Sequence, residues 1–165
     1  MQTIIEFENI HKKFDTAVAN DGISFNIYEN KVNCIVGENG AGKSTLMQIL
    51  FGSYKADEGS IFLRGKKINF KSTHDAINNG IGMLYQHFML IDDFTVMENV
   101  ILGNELTNKF SLNISEIKKK LTELNELYSL GLDIYAKISE LSISEQQKTE
   151  ILKLLYRNSE IIILD

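Results

Sequence analysis

The octapeptide Gly37-Glu38-Asn39-Gly40-Ala41-Gly42-Lys43-Ser44 has the spacing G-x-x-x-x-G-K-[ST], and its residue types converge on one chemistry. Backbone wraps closely around a run of phosphates only where side chains are small or absent, and Gly37, Gly40 and Gly42 supply that. A helix starting near Gly42 adds the partial positive charge of its first amides where the phosphates lie. The Lys43 ammonium is then placed to reach β- and γ-phosphates, the Ser44 hydroxyl to meet Mg²⁺, and the Thr45 hydroxyl to meet the α-phosphate. Such a loop needs a strand before it and a helix after it. Val32-Asn33-Cys34-Ile35-Val36 reads as a buried strand, which would bury the Cys34 thiol, and Thr45–Phe51 reads as a short apolar helix.

Other residues gain meaning from their positions. Phe14 is a lone aromatic in the polar stretch His11–Asp15, suited either to anchor a sheet edge or to stack on an adenine ring. Gln86 directly follows the apolar strand Ile81–Tyr85, where an amide either ends the strand or serves as a ligand to Mg²⁺ or water. Ser142 and Glu145 have capping-box spacing ahead of a helix carrying Ile151, Leu154 and Leu155 on one face, a pattern that by itself implies no chemistry. Asp165 ends Ile161-Ile162-Ile163-Leu164, read as a buried strand.

The elements around these residues follow from pattern. Alternation over Ile4–Ile10 and Ile23–Ile27 marks two half-buried antiparallel strands. Gly59–Gly65 and Lys67–Phe70 read as a hairpin, and Ser72 or Thr73 as the cap of a helix ending at Asn78-Asn79-Gly80. Thr95 caps a helix over Val96–Leu102. From Ser115, the residues Ile117, Leu121, Leu124, Leu127 and Tyr128 recur at helical steps, opposite Lys118, Lys119, Glu123 and Glu126, with Lys118-Lys119-Lys120 as a solvated edge. His87–Ile91 is apolar without strand alternation, and reads as core or, if exposed, as a docking patch.

Composition narrows the function class. At 165 residues, 44% apolar and 24% charged, the chain has the make-up of one globular domain. Seventeen basic against 22 acidic residues give a net charge of −5, which argues against nucleic acid as a partner. No apolar run approaches the roughly 18 residues of a membrane span, and the N-terminus lacks the regions of a signal peptide, so a cytoplasmic location is expected. The single cysteine forms no intrachain disulfide, and His11, His74 and His87 lack metal-ligand spacing.

The order of these features resembles the nucleotide-binding subunit of ATP-binding-cassette (ABC) transporters across essentially the whole chain. In that resemblance Phe14 is the adenine-stacking aromatic, Gly37 to Ser44 the Walker A loop, Gln86 the Q-loop, Leu141 to Gln146 the signature and Asp165 the Walker B aspartate. The wording is similar to the importers of sugars and nucleosides, and Tyr85–Ile91 to the nucleoside type. The resemblance implies an α/β P-loop cassette with a mixed or parallel core sheet, an N-terminal antiparallel β-subdomain and a helical subdomain around residues 95 to 140. It implies ATP and Mg²⁺ as cofactors, with Ser44, Gln86 and Asp165 at the metal. Ser142, Ser144, Glu145 and Gln146 would face the nucleotide of a second cassette. The partners implied are transmembrane permease subunits, touched near Phe88, Met89, Leu90 and Ile91, and indirectly a solute-binding protein. The location implied is the inner face of the cell membrane, as a peripheral subunit.

This sequence departs from the family pattern in three ways. Ile143 and Ser144 stand where the signature has two glycines, and Glu145 where the commonest form has glutamine. Asp165 is the last residue, so the general-base glutamate, the D-loop and the switch histidine of the family are not among these 165 residues, and neither His74 nor His87 sits at the switch position. The family also places the strand after Walker B between the Walker A and Walker B strands. The expectation is therefore an incomplete cassette that binds ATP and hydrolyses little by itself. The alternatives are a non-catalytic nucleotide-binding module, and a soluble non-transport ABC ATPase. The second fits less well, because Lys43 and Ser142 are not separated by a coiled-coil insertion.

Overall fold

Strand alternation runs further than the apolar pattern suggests in the computed structural model of the chain, which describes residues 1–104, 107–108 and 111–165. β1 (Thr3–Phe14) and β2 (Ala17–Tyr28) are twelve residues each and pair antiparallel through the two-residue turn Asp15-Thr16. Phe14 is thus the last residue of a strand and not part of a loop. Ile5 and Phe7 point inward, and an irregularity at Asn9, where φ is 50°, shifts the phase so that Ile10 follows them. Ring stacking of Phe7 on Phe25, with centroids 4.7 Å apart, fixes the pairing on one face.

α1 (Lys43–Leu50) buries Leu46, Met47, Ile49 and Leu50, and β3 (Glu58–Leu63) pairs with β4 (Lys66–Ile68) across the turn Arg64-Gly65, as the hairpin reading expects. The sheet order is β2-β1-β3-β4, antiparallel throughout. α2 (Thr73–Asn78) is capped by Ser72, whose side chain accepts from the Asp75 amide. These elements make up the unit Met1–Asn79.

The run Val32–Val36 is not a strand. It pairs with no strand among the described residues, Val32 and Val36 are 94% and 91% exposed, and Cys34 is exposed rather than buried. A strand exists only by pairing, so an apolar pattern without a neighbour leaves backbone and side chains in water. Each such valine forgoes roughly 1.5–3 kcal/mol of burial.

The unit Gly80–Asp165 is built on two parallel strands, β5 (Ile81–Leu84) and β8 (Ile161–Leu164). All four β5 residues are buried, whereas β8 buries only Ile163 well; Ile162 and Leu164 are 42% and 74% exposed, against the expectation of a buried strand. α3 (Val96–Ile101) starts at a complete capping box of Thr95 and Glu98. After it come two two-residue strands, β6 (Thr107–Asn108) and β7 (Ser111–Leu112). The stretch of about 95–140 expected to be helical includes residues 105–106 and 109–110, which lie outside the described residues.

α4 (Ile114–Leu127) buries Ile117 and Leu121, but Leu127 and Tyr128 are largely exposed, because the helix stops before its last apolar residues turn inward. Lys120 is not a solvated edge either. Its ammonium donates to the Tyr156 carbonyl at 2.7 Å and lies 4.5 Å from the Tyr156 ring centroid. A 3₁₀ turn over Ile138–Glu140 leads to α5 (Ile143–Tyr156). Val96, Val100, Ile117, Leu121, Ile138, Leu152 and Tyr156 make up the middle of one apolar core.

Gly82 sets how closely β5 meets what covers it. A Cβ there would lie 2.6 Å from Ser159 Oγ and 2.8 Å from Leu154 Cδ2. Replacement Gly82→Ala is therefore expected to destabilise the chain by about 1–3 kcal/mol through overpacking, measured as a lowered urea midpoint with unchanged slope.

Candidate functional site

The phosphate-loop motif begins where regular structure is lacking and ends in α1. Ala41 N–H donates to the Glu38 carbonyl at 3.2 Å and Leu46 N–H to the Gly42 carbonyl at 2.9 Å, so the loop closes on itself before the helix takes over. The Lys43 ammonium, carried on the first helical residue, donates to the carbonyls of Gly37 at 2.9 Å and Glu38 at 2.8 Å. This places the positive charge across the mouth of the loop, in line with the helix N-terminus, where no acidic residue of the first turn opposes it. Gly37, Glu38, Asn39, Gly40 and Ala41 are exposed, as is Ser44, while Thr45 is half-buried.

Gly42 carries the fold's tightest demand on this loop. Its φ is 82°, a left-handed backbone, and a Cβ would stand 1.9 Å from the Ala19 carbonyl oxygen and 2.9 Å from Asn20 Nδ2. Asn20 Nδ2 donates to the Gly42 carbonyl at 3.2 Å, and Asn20 is 4% exposed. The sequence reading missed Asn20. Asn20 stands in the polar run Asn20-Asp21-Gly22, where nothing in the sequence marks it as buried.

Phe14 is 40% exposed and meets Tyr54 edge-on, with centroids 5.3 Å apart. Lys12 Nζ lies 5.2 Å from the Phe14 centroid and pairs with Asp57 Oδ1 at 2.8 Å. The second Asp57 oxygen accepts the Lys13 amide at 2.8 Å. Tyr54 and Asp57 were also missed, since only the fold brings the segment before β3 to the end of β1; Lys12, two residues before Phe14 on β1, was missed as the partner of Asp57.

In the second unit, Gln86 and Asp165 follow neighbouring parallel strands at the same end. Leu84 pairs with Leu164, and Asp165 N–H donates to the Leu84 carbonyl at 3.2 Å. Gln86 is exposed in a bend. Ser142 is the N-cap of α5: its hydroxyl donates to Glu145 Oε2 at 2.6 Å and accepts the Glu145 amide at 3.4 Å. These hydrogen bonds from the Ser142 hydroxyl and amide hold the Glu145 carboxyl below its ordinary range. Ser144 is exposed and Ile143 is 75% exposed, so an apolar side chain stands out from the helix start. Gln146 turns back instead, donating to the Leu141 carbonyl at 3.2 Å and the Ile138 carbonyl at 3.4 Å.

The ABC transporter family model matches residues 20–165. The chain belongs to the ABC transporter family. Among its relatives, the nucleoside import ATP-binding protein NupA of Lactococcus lactis is 46% identical over 99% of this chain and 32% of that protein. The guanosine import ATP-binding protein NupO of Bacillus subtilis is 42% identical over 100% of this chain, and again 32% of that protein. This member of the family thus spans about a third of the length of the curated relatives it matches. A nucleotide-free ATP-binding cassette from an ABC transporter superposes with a TM-score of 0.83 at 29% identity, over 99% of this chain and 68% of the other. A second cassette, in its ADP conformation, superposes at 0.84 with 30% identity, over 98% of this chain and 68% of the other. The expected fold, an α/β ABC cassette, is the one observed.

The Asp57 carboxyl of this ABC chain is held below its ordinary range, first by the hydrogen bond from Lys12 and then by the Lys13 amide and the Lys12 charge, with desolvation opposing them. A depressed carboxyl stabilises the fold above its unfolded pKa and ceases to as pH falls through its folded one. Acidification below about pH 4 is expected to loosen the Lys12–Asp57 pair and shift the ring resonances of Phe14 and Tyr54. Asp57→Asn should abolish that pH dependence in an NMR titration. Asn20→Ala, which removes the second donor to the Gly42 carbonyl and leaves it only the Leu46 amide, should cost about 0.5–1.5 kcal/mol in thermal or urea unfolding.

Proposed function

We propose that this chain is the ATP-binding part of an importer for a nucleoside or sugar, with Gly37 to Thr45 holding the triphosphate. The observation that carries the reading is the Lys43 ammonium spanning the loop to the Gly37 and Glu38 carbonyls at the start of α1. Phosphate oxygens placed there would meet an ammonium, converging amides and a helix N-terminus together. Phe14, with Tyr54 beside it, offers an aromatic edge and face for the adenine.

The family implies Mg²⁺, and the donors fit it. No group of three or more His, Cys, Asp or Glu side chains gathers among the described residues, so a closed protein cage is not built. Mg²⁺ is suited to the other arrangement, one or two protein oxygens with phosphate and water. Ser44 would be the protein oxygen beside the phosphates in the first unit; within the second, Gln86 and Asp165 carry donor oxygens of the kind the family uses for the ion, at the same end of two parallel strands. When bound, the ion neutralises charge on the transferring phosphoryl group.

Ser142, Ser144, Glu145 and Gln146 would face the nucleotide of a second cassette. The capping box ties the Glu145 amide to the Ser142 hydroxyl and sets the Glu145 carboxyl at the start of α5, so phosphate recognition there would fall to the remaining first-turn amides, while Ile143 stands where a close approach is needed. The exposed Met89 and Ile91 support docking of Phe88–Ile91 on transmembrane permease subunits. A peripheral position at the inner membrane face, and an indirect link to a solute-binding protein, follow from that role. Among the described residues no helix is long and apolar enough to cross a membrane. The choice of solute class rests on the relatives, which include the nucleoside and guanosine import proteins and a ribose import ATP-binding protein of Caldanaerobacter subterraneus at 40% identity.

A second reading, a nucleotide-binding module without catalysis, is supported by Ile143, whose 75% exposed side chain stands at the start of α5 where a nucleotide would have to approach closely. Titration calorimetry separates the readings in steps. Mg·ATP should bind the chain, and Lys43→Ala should weaken binding at least about a hundredfold, as expected for loss of a charge-assisted contact. Phosphate release by the 165 residues alone should stay at background. Turnover that Lys43→Ala abolishes would overturn that last expectation, and binding that survives Lys43→Ala would overturn the site.

A further inference from the structure

Lys12 and Phe14 stand two residues apart on β1, the spacing that puts side chains on one face of a strand. The Lys12 ammonium lies 5.2 Å from the Phe14 ring centroid and is held there by Asp57 Oδ1 at 2.8 Å. Lys12 is the more enclosed partner, its side chain 15% exposed against 45% for Asp57. Asp57 is itself tied to the β1 backbone twice: its N–H donates to the His11 carbonyl at 2.9 Å, and its Oδ2 accepts the Lys13 amide at 2.8 Å. The ladder between β1 and β3 stops at the pair His11 and Glu58, so the Asp57 carboxylate takes up the Lys13 amide just beyond its end.

A lysine left to its flexible stem spreads over many rotamers. Asp57, fixed against β1 by its own backbone and its second oxygen, removes that freedom, and what it fixes is a positive charge over an aromatic face. Phe14 needs such support. It is the last residue of its strand, 40% exposed, and the Tyr54 ring meets it at 71° with centroids 5.3 Å apart. Two aromatic faces brought together repel through their like quadrupoles, whereas a cation on the far side of one ring draws its density away and favours a partner on the other side. Lys12, Phe14, Tyr54 and Asp57 all belong to the unit Met1–Asn79, which also carries the phosphate loop.

We propose that Lys12 and Asp57 are positioning residues for the base of the nucleotide: Asp57 pins the Lys12 ammonium over one face of Phe14, and the opposite face takes the adenine. The proposal deepens the reading of Gly37 to Thr45 as the triphosphate site and rests on it. The pair serves the base and not the phosphates, so its removal separates the two halves of the ligand.

Magnesium tripolyphosphate, which has the phosphates of ATP without the nucleoside, makes that separation when titrated calorimetrically beside Mg·ATP. Lys12→Met, which keeps the apolar stem and removes the charge, should weaken Mg·ATP about two- to fivefold, the worth of an exposed cation on an aromatic face, and leave tripolyphosphate unmoved. Asp57→Asn, which frees the ammonium, should do the same, and Lys12→Arg should recover most of the loss. In NMR spectra the Phe14 ring protons should move upfield on Mg·ATP and stay in place on tripolyphosphate. Equal Mg·ATP affinity in the parent and Lys12→Met overturns the proposal. So does a loss shared by both ligands, which marks a merely structural role. If Lys12→Met loses its far-ultraviolet circular dichroism, Asp57→Asn decides by the same two criteria. A parent that binds neither ligand refutes the triphosphate reading and the proposal together, whereas tripolyphosphate bound as tightly as Mg·ATP refutes the proposal alone.

Discussion

The approach of Gly42 to the Ala19–Asn20 step of β2 is the contact on which the phosphate loop depends. It fixes where α1 starts, and therefore where the Lys43 ammonium and the first helical amides stand. A carbonyl oxygen occupies the place any other residue would need for its Cβ, and the Asn20 amide closes the gap by donating to the Gly42 carbonyl. The run Val32–Val36 that leads into the loop pairs with no strand among the described residues, so within its unit the loop takes its position from β2 and from the packed helix α1.

The same economy of backbone pairing shapes the second unit. Asn99 and Glu150 serve the amides of Ile91 and Met89, Asn125 serves both the amide and the carbonyl of Leu132, and Lys148 donates to the Leu130 carbonyl. Irregular segments between helices are thus held by polar side chains, buried in Asn99 and Glu150 and half-buried in Asn125 and Lys148, where ladders are lacking. Each is also a place where a segment with exposed apolar residues is kept in one conformation, which is what a docking surface requires.

The exposed apolar residues fall into two kinds. Met89 and Ile91 stand on a backbone fully paired by neighbours, whereas Val32, Val36, Ile162 and Leu164 lie on extended segments lacking a strand on at least one side. The first kind suits a partner protein; the second suits further strands of a sheet.

The sequence by itself determined the elements whose causes are local. The G-x-x-x-x-G-K-[ST] run, the Thr95 and Ser142 caps, the hairpin after Gly59, though its second strand was read as Lys67–Phe70 and is Lys66–Ile68, and the order of motifs from Lys43 to Asp165 were legible, because turns, caps and phosphate loops are set by residues a few positions apart. The family followed from that order. Only the tertiary structure decided burial and partnership. Val32–Val36 has the composition of a strand yet lies unpaired, Cys34 is exposed, and Phe14 closes a long strand against Tyr54, Lys12 and Asp57. Asn20, Glu150 and Asn99 look like ordinary polar residues in the sequence and become structural ties only when distant backbone groups meet them. Pairing and desolvation depend on what lies across space, and an alternating or apolar pattern carries no record of which neighbour will be there.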